Sequence, residues 1–191
     1  MNFFKTFFVP AFVLFSICVV ATLLLALTNN VTAPKIALLA EKSEVESRML
    51  VLSSAKGFSQ GKDITLEGTQ YTYYEGVDEN DNTVGFVFTT VENGYGGEMK
   101  VMTGVKSDGT VDAVKILEIN ETAGLGMNAK NESFLDQYHN KSEEIFISKD
   151  KPGDNSIDAL TGATVTSKAV TQAVNTALNL YDEVKGGANN G

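Results

Sequence analysis

From Asp158 to Thr164 the chain reads Asp-Ala-Leu-Thr-Gly-Ala-Thr, and Val165, Thr166 and Ser167 follow ahead of a strongly helical stretch. A carboxylate, a glycine turn and a threonine hydroxyl are thereby set just before a helix N-terminus. Gly162 can adopt backbone angles closed to other residues. A helix start offers N–H donors without intrahelical acceptors, and the positive end of its dipole, to an anion. The chemistry these residues suit is the holding of a phosphate, with the Thr164 hydroxyl within reach of it and Lys168 one turn further on. The same residues also suit a plain N-cap, and Lys168 also reads as a solvated surface lysine.

The pattern Asp-x-x-(Ser/Thr)-Gly-Ala-Thr resembles the flavinylation signature of FMN-binding domains, in which the last threonine is joined to FMN through a phosphoester. The resemblance implies Thr164 as the covalent acceptor. Asp158, Thr161, Gly162 and Ala163 complete the signature, and Thr166 stands beside it in the implied cofactor site. Asp158 would serve recognition by the enzyme that attaches the flavin, and Gly162 and Ala163 would keep the hydroxyl approachable.

An apolar N-terminal span, the loop Gly94-Tyr95-Gly96-Gly97 and the segment Glu121-Thr122-Ala123-Gly124-Leu125-Gly126 look like the G subunit of the Rnf ion-translocating electron transport complex. By that resemblance Glu121, Thr122, Gly124, Leu125, Gly126 and Tyr95 belong to the pocket of the isoalloxazine ring. Two positions depart from the family's pattern. Asn120 stands where a histidine is common, and Ala123 where a proline is common, so no role attached to those two residues carries over.

The implied function is electron transfer by covalent FMN, in a membrane complex that couples ferredoxin:NAD⁺ electron transfer to Na⁺ or H⁺ translocation. The chain would be a redox subunit with no complete active site of its own. Its partners would be the other subunits, a flavin transferase and membrane lipid. A related reading is the C subunit of a Na⁺-translocating NADH:quinone oxidoreductase, which usually has more chain. A rival from another class is a membrane-tethered structural or assembly module without a working flavin.

The elements that must position these residues follow from composition and period. Phe7 to Leu27 carries no charge; at about 1.5 Å per residue such a run crosses a hydrocarbon core of roughly 30 Å. Residues 1–33 are expected as a cytoplasmic stub and transmembrane anchor. A cleavable secretory signal is the competing reading, with a small-residue site at Val31-Thr32-Ala33; the long apolar run and Pro34 argue against it. Lys5 is the one charged side chain before Lys35, which favours a cytoplasmic N-terminus and an extracytoplasmic domain at the cell membrane.

Asn29, Asn30 and Pro34 are expected to punctuate the chain before a juxtamembrane helix at 34–56 that reaches to about Ser53. The FMN-binding domain is expected at 57–185, of α+β class. Its antiparallel sheet would use strands at Tyr71–Glu75, Val84–Val91, Met99–Val105 and Val111–Ile119, with loops at Asp78–Asn82 and Ser107–Gly109. A short helix at Glu132–Tyr138 and a short strand at Ile145–Ser148 lead through a polar loop, Lys149–Asn155, to the signature. Ala169, Ala173 and Ala177 with Val170, Val174, Leu178 and Tyr181 mark the stripe of an amphipathic C-terminal helix. Gly186 and Gly187 are expected to end it, leaving 186–191 as a flexible tail.

With 24 acidic against 15 basic residues, the chain has a net charge of −9, which repels nucleic acid. Its one cysteine, Cys18, lies in the apolar span, so no disulfide, zinc or iron–sulfur site can be assembled within the chain. His139 is the only histidine, and no triad or acid–base pair converges on it in sequence.

Overall fold

The structure is a computed structural model that describes residues 2–188; the last residues of the expected tail, 189–191, lie outside it. Asn2–Val51 is one continuous helix, α1, with Pro10 and Pro34 inside it. The break expected at Asn29, Asn30 and Pro34 does not occur. A proline in a helix removes one backbone bond at a cost of about 3 kcal/mol, and Leu23 to Leu27 on one side and Lys35 to Ala40 on the other are helix formers able to carry the chain through it. The chain divides into two compact units, Met1–Glu44 and Val45–Gly191, so the last turns of α1 belong to the second.

The second unit is built on a six-stranded antiparallel sheet. Its strands are β1 (Gly57–Phe58), β2 (Lys62–Leu66), β3 (Thr69–Val77), β4 (Thr83–Asn93), β5 (Glu98–Lys106) and β6 (Val111–Ile119). β1 and β2 both pair with β3, and β4, β5 and β6 follow in order. The four long strands lie where alternation of β-branched and aromatic residues places them. β1 and β2 are the additions, in a stretch where Gly57, Gly61 and Gly68 interrupt the pattern of a strand.

Period-two alternation gives the sheet two apolar faces. Phe86, Phe88, Val101 and Val105 pack with Val170, Ala173, Val174 and Leu178 of the C-terminal helix, α3 (Thr164–Ala188), on one face. Val87 and Met102 point the other way, against Val51 at the end of α1 and Leu52 and Ala55 just after it. Gly76 and Gly85 are cross-strand partners on that second face, with Leu52 lying over both. A Cβ at Gly104 would overlap the Val51 carbonyl. Glycine is needed there because backbone meets backbone.

On the first face the alanines of α3 allow close approach, and Thr90 Oγ1 donates to the Ala173 carbonyl at 3.1 Å. α3 runs past Gly186 and Gly187 to Ala188, which corrects the expected end. Neither glycine takes the left-handed conformation of a C-cap, and without it each only weakens the helix, by about 1 kcal/mol.

Between β6 and α3 lie a 3₁₀ turn at Gly126–Lys130, the short helix α2 (Glu132–Leu135) and a second 3₁₀ turn at Asp136–Tyr138. β7 (Phe146–Ile147) then pairs in parallel with β8 (Ser156–Ile157). Sequence reading finds β7 without its partner. The buried Tyr138 hydroxyl shares a hydrogen bond of 2.9 Å with Thr171, which fixes this segment against α3.

Candidate functional site

At the start of α3, Ser167 ties the helix back to the turn before it. The Leu160 N–H donates to Ser167 Oγ at 2.9 Å, and Ser167 Oγ donates to the Ala163 carbonyl at 3.0 Å. The first regular helical bond is Ser167 N–H to Ala163 O, at 3.0 Å. The N–H groups of Thr164, Val165 and Thr166 therefore have no acceptor inside the helix. Gly162, with φ of +77°, makes the turn into it. Among the described residues no partner is found for the Thr164 hydroxyl, so Thr164 is not serving as the cap.

Those open groups border a cavity of about 470 Å³, within the usual range of small-ligand sites. Gly162, Ala163, Thr164, Val165 and Thr166 form one wall. The opposite wall comes from Tyr95 in the β4–β5 loop and from Glu121, Thr122, Leu125 and Gly126 after β6. Tyr95 is 77% exposed, Val165 51% and Leu125 45%, so the mouth is rimmed by apolar side chains that have water to lose.

The loops are shaped by their own hydrogen bonds. The Gly94 N–H donates to the Gly97 carbonyl at 2.8 Å, and the Thr122 carbonyl accepts from Leu125 and Met127, each at 3.2 Å. Gly96 lies so close to the Asn120 backbone that a Cβ there would overlap it. The two glycine-bearing segments are thus seated on one another. Glu121 joins them to α3: its Oε1 accepts from the Tyr95 N–H at 2.7 Å and from the Thr166 hydroxyl at 3.0 Å.

Three residues singled out in sequence stand off the cavity wall. Gly124 is exposed, with φ of +77°, and its carbonyl accepts from the Asn128 amide at 2.9 Å. Thr161 is exposed at the turn. Asp158 is exposed too, and its carboxylate accepts from Ser148 Oγ at 2.6 Å. Gln137 holds the Asp158 backbone, its Oε1 accepting the N–H at 2.7 Å and its amide donating to the carbonyl at 3.3 Å. Gln137 and Ser148 carry no sequence signal for this task. Val165 could have been found as an apolar residue exposed between two threonines of a helix start.

Lys168 turns away to Asp150, with which it pairs at 2.7 Å. His139 Nδ1 donates to the Asp112 carbonyl at 2.5 Å, a structural use, and neither residue lines the cavity.

The cavity is large enough for a planar tricyclic ring, its rim is apolar, and its α3 wall offers three unpaired N–H groups beside an unengaged hydroxyl. These features fit an aromatic ligand that carries a phosphate.

Residues 94–179 match the family model of the FMN-binding domain, a stretch that takes in every wall of the cavity. Over 94% of this chain and 94% of the relative, the sequence is 36% identical to the G subunit of the Na⁺-translocating ferredoxin:NAD⁺ oxidoreductase complex of Acetobacterium woodii. It is 30% identical, over 89% of each chain, to the G subunit of the proton-translocating ferredoxin:NAD⁺ oxidoreductase complex of Clostridium ljungdahlii. Among solved structures, the C subunit of the Na⁺-translocating NADH-quinone reductase of Parabacteroides distasonis aligns over 57% of this chain and 59% of its own, with 20% identity and a TM-score of 0.49. Shewanella oneidensis NqrC aligns over 66% of each chain, with 17% identity and a TM-score of 0.48. Matched to its G-subunit relatives along nearly all of its length and theirs, the chain belongs to the family of the G subunit of the ion-translocating oxidoreductase complexes.

Proposed function

We propose that this chain is a membrane-anchored electron carrier with FMN joined through its phosphate to Thr164, and that it acts within an ion-translocating ferredoxin:NAD⁺ oxidoreductase complex. The observation that carries the reading is the Thr164 hydroxyl. It stands on the cavity wall, unengaged, at a helix start whose first N–H groups have no acceptor inside the helix.

In this reading the N–H groups of Thr164, Val165 and Thr166 hold the phosphate. A helix terminus contributes typically about 0.3–1 kcal/mol to an anion, up to ~2 when partly buried, and ~2 kcal/mol is only about thirtyfold in affinity. A carrier facing outside the membrane would lose a cofactor held so weakly. An ester would remove that loss: the Thr164 oxygen would bond to the flavin phosphate as the pyrophosphate bond of a flavin dinucleotide breaks, with the nucleoside monophosphate leaving and the hydroxyl proton released. A separate transferase acting on a flavin dinucleotide supplies the group, because the chain carries no phosphate-handling loop such as Gly-x-x-x-x-Gly-Lys-Ser/Thr. Asp158, anchored through Gln137 and Ser148, presents an exposed carboxylate for that enzyme to recognise, and Thr161 lies exposed beside it.

Tyr95, Leu125 and Val165, which line the cavity, would supply apolar surface to the ring. FMN supplies reversible electron transfer once bound. The surrounding residues bring no dinucleotide fingerprint and no acid–base pair, so ferredoxin and NAD⁺ would be handled by other subunits. α1 supplies the anchor, with the N-terminus on the cytoplasmic side and the second unit outside.

The test is ultraviolet fluorescence of the denatured protein in a gel after co-production with the transferase. The wild-type chain fluoresces; Thr164→Ala folds and is dark, whereas Thr161→Ala and Thr166→Ala keep at least part of the label. A flavin mass on a peptide lacking Thr164 would refute the assignment. The purified loaded protein takes electrons from a chemical reductant and shows negligible NADH oxidation by itself.

A further inference from the structure

Glu121 is the point at which three separate stretches of chain meet. Its Oε1 accepts from the Tyr95 backbone, 26 residues away, and from the Thr166 hydroxyl, 45 residues away. Both are hydrogen bonds to a carboxylate, the stronger kind. The carboxylate end also lies where side chains at Gly94 and Gly126 would otherwise stand. A Cβ at Gly94 would overlap Oε1, and one at Gly126 would come within 2.6 Å of Oε2 and 2.9 Å of the Glu121 Cβ. Two glycines therefore make the slot, and two donors hold the carboxylate in it. The glycine loop that carries Tyr95 has, from Gly94 to Gly97, only Gly94 N–H to Gly97 O as an internal bond; Glu121 supplies its tie to α3.

We propose that Glu121 is the positioning residue of the cofactor cavity: it latches the Tyr95 loop to the first turn of α3, and it fixes one negative charge beside the bound flavin that holds the flavin's reduction potential down. The inference rests on the reading of the cavity as an FMN site. The charge effect follows from Coulomb's law, since reduction adds negative charge to the ring and a fixed carboxylate in a partly desolvated cavity opposes it. Two substitutions separate the parts. Glutamine keeps an oxygen able to accept from both donors and loses only the charge, whereas alanine loses both.

The latch is tested without cofactor, in the full-length chain carrying Thr164→Ala and held in detergent micelles, by hydrogen exchange of the peptide containing Gly94 to Gly97. Adding Glu121→Ala speeds exchange at the Tyr95 amide roughly tenfold or more, since a charge-assisted bond is lost, and Glu121→Gln leaves it within about twofold. Unchanged exchange in Glu121→Ala overturns the latch. The charge is tested in the flavin-loaded full-length chain by spectroelectrochemical titration. Glu121→Gln, still fluorescent in the gel, has a more positive midpoint potential than the wild type; an equal or more negative potential overturns that half of the proposal. A wild-type chain that takes up no flavin sinks the FMN reading, and with it the charge effect, while the exchange experiment still decides the latch.

Discussion

The two long helices are both rich in apolar residues and place them in opposite surroundings. In α3 the apolar residues fall on one stripe and are sealed against the sheet, with Val170 and Val174 at 0% exposure. In α1 they lie on all sides, and Phe12 and Leu25 are 70% and 72% exposed. A one-sided stripe needs one protein face, whereas an apolar surface on every side needs an apolar medium. The polar groups of α1 agree: Ser16, Thr22, Thr28 and Thr32 each donate to the carbonyl four residues back, at 2.8 Å. Hydroxyls satisfied within their own helix leave nothing for water to supply.

The same charge placed in each helix breaks or sharpens this comparison most strongly. Val174→Lys puts an unpaired ammonium in the core and costs more than about 4 kcal/mol, enough to abolish cooperative thermal unfolding of the second unit. Leu24→Lys leaves that unfolding transition where it was. It instead costs about 2.5–3.5 kcal/mol of membrane insertion, read as a smaller fraction retained in alkali-washed membranes. If Leu24→Lys lowered the melting temperature as Val174→Lys does, the two helices would not differ in the way argued.

The sheet face against the end of α1 gives the next effect. Gly104→Ala drives a methyl into the Val51 carbonyl and destabilises the second unit by about 3 kcal/mol, measured by denaturant unfolding. On the α3 face, Thr90→Val removes the hydrogen bond to Ala173 and costs about 1 kcal/mol, because the carbonyl keeps its helical partner. The smallest effect lies at the end of α3. Gly186 has open space around it, so Gly186→Ala extends a good helix and stabilises by at most about 1 kcal/mol. A loss of stability there would mean that the residue is not helical.

Much of the fold was legible because its signals are local. Tyr71 to Glu75, Val84 to Val91, Met99 to Val105 and Val111 to Ile119 alternate with the period of a strand, and the observed strands extend them by at most a few residues. The stripe of α3 is read from its alanines and valines in the same way. β1, β2 and β8 were not legible: each is a few residues long and exists because a partner strand is offered to it, Thr69–Val77 for the first two and Phe146–Ile147 for the third. Pro34 and Gly186 were read as breaks from average propensity, and each was overridden by the helix around it.

The sequence by itself determined the order of the elements, the uncharged span from Phe7 to Leu27, the acidity of the chain and the run from Asp158 to Thr164. Propensity, period and charge act over one or two turns, so they can be read along the chain. Only the tertiary structure decided which of those residues share a cavity. It brought Tyr95, Glu121 and Thr166 together across tens of residues, and turned Asp158 toward Ser148 and Lys168 toward Asp150. Each of those outcomes depends on a hydrogen bond or an ion pair between segments distant in sequence, and such a contact has no period to betray it.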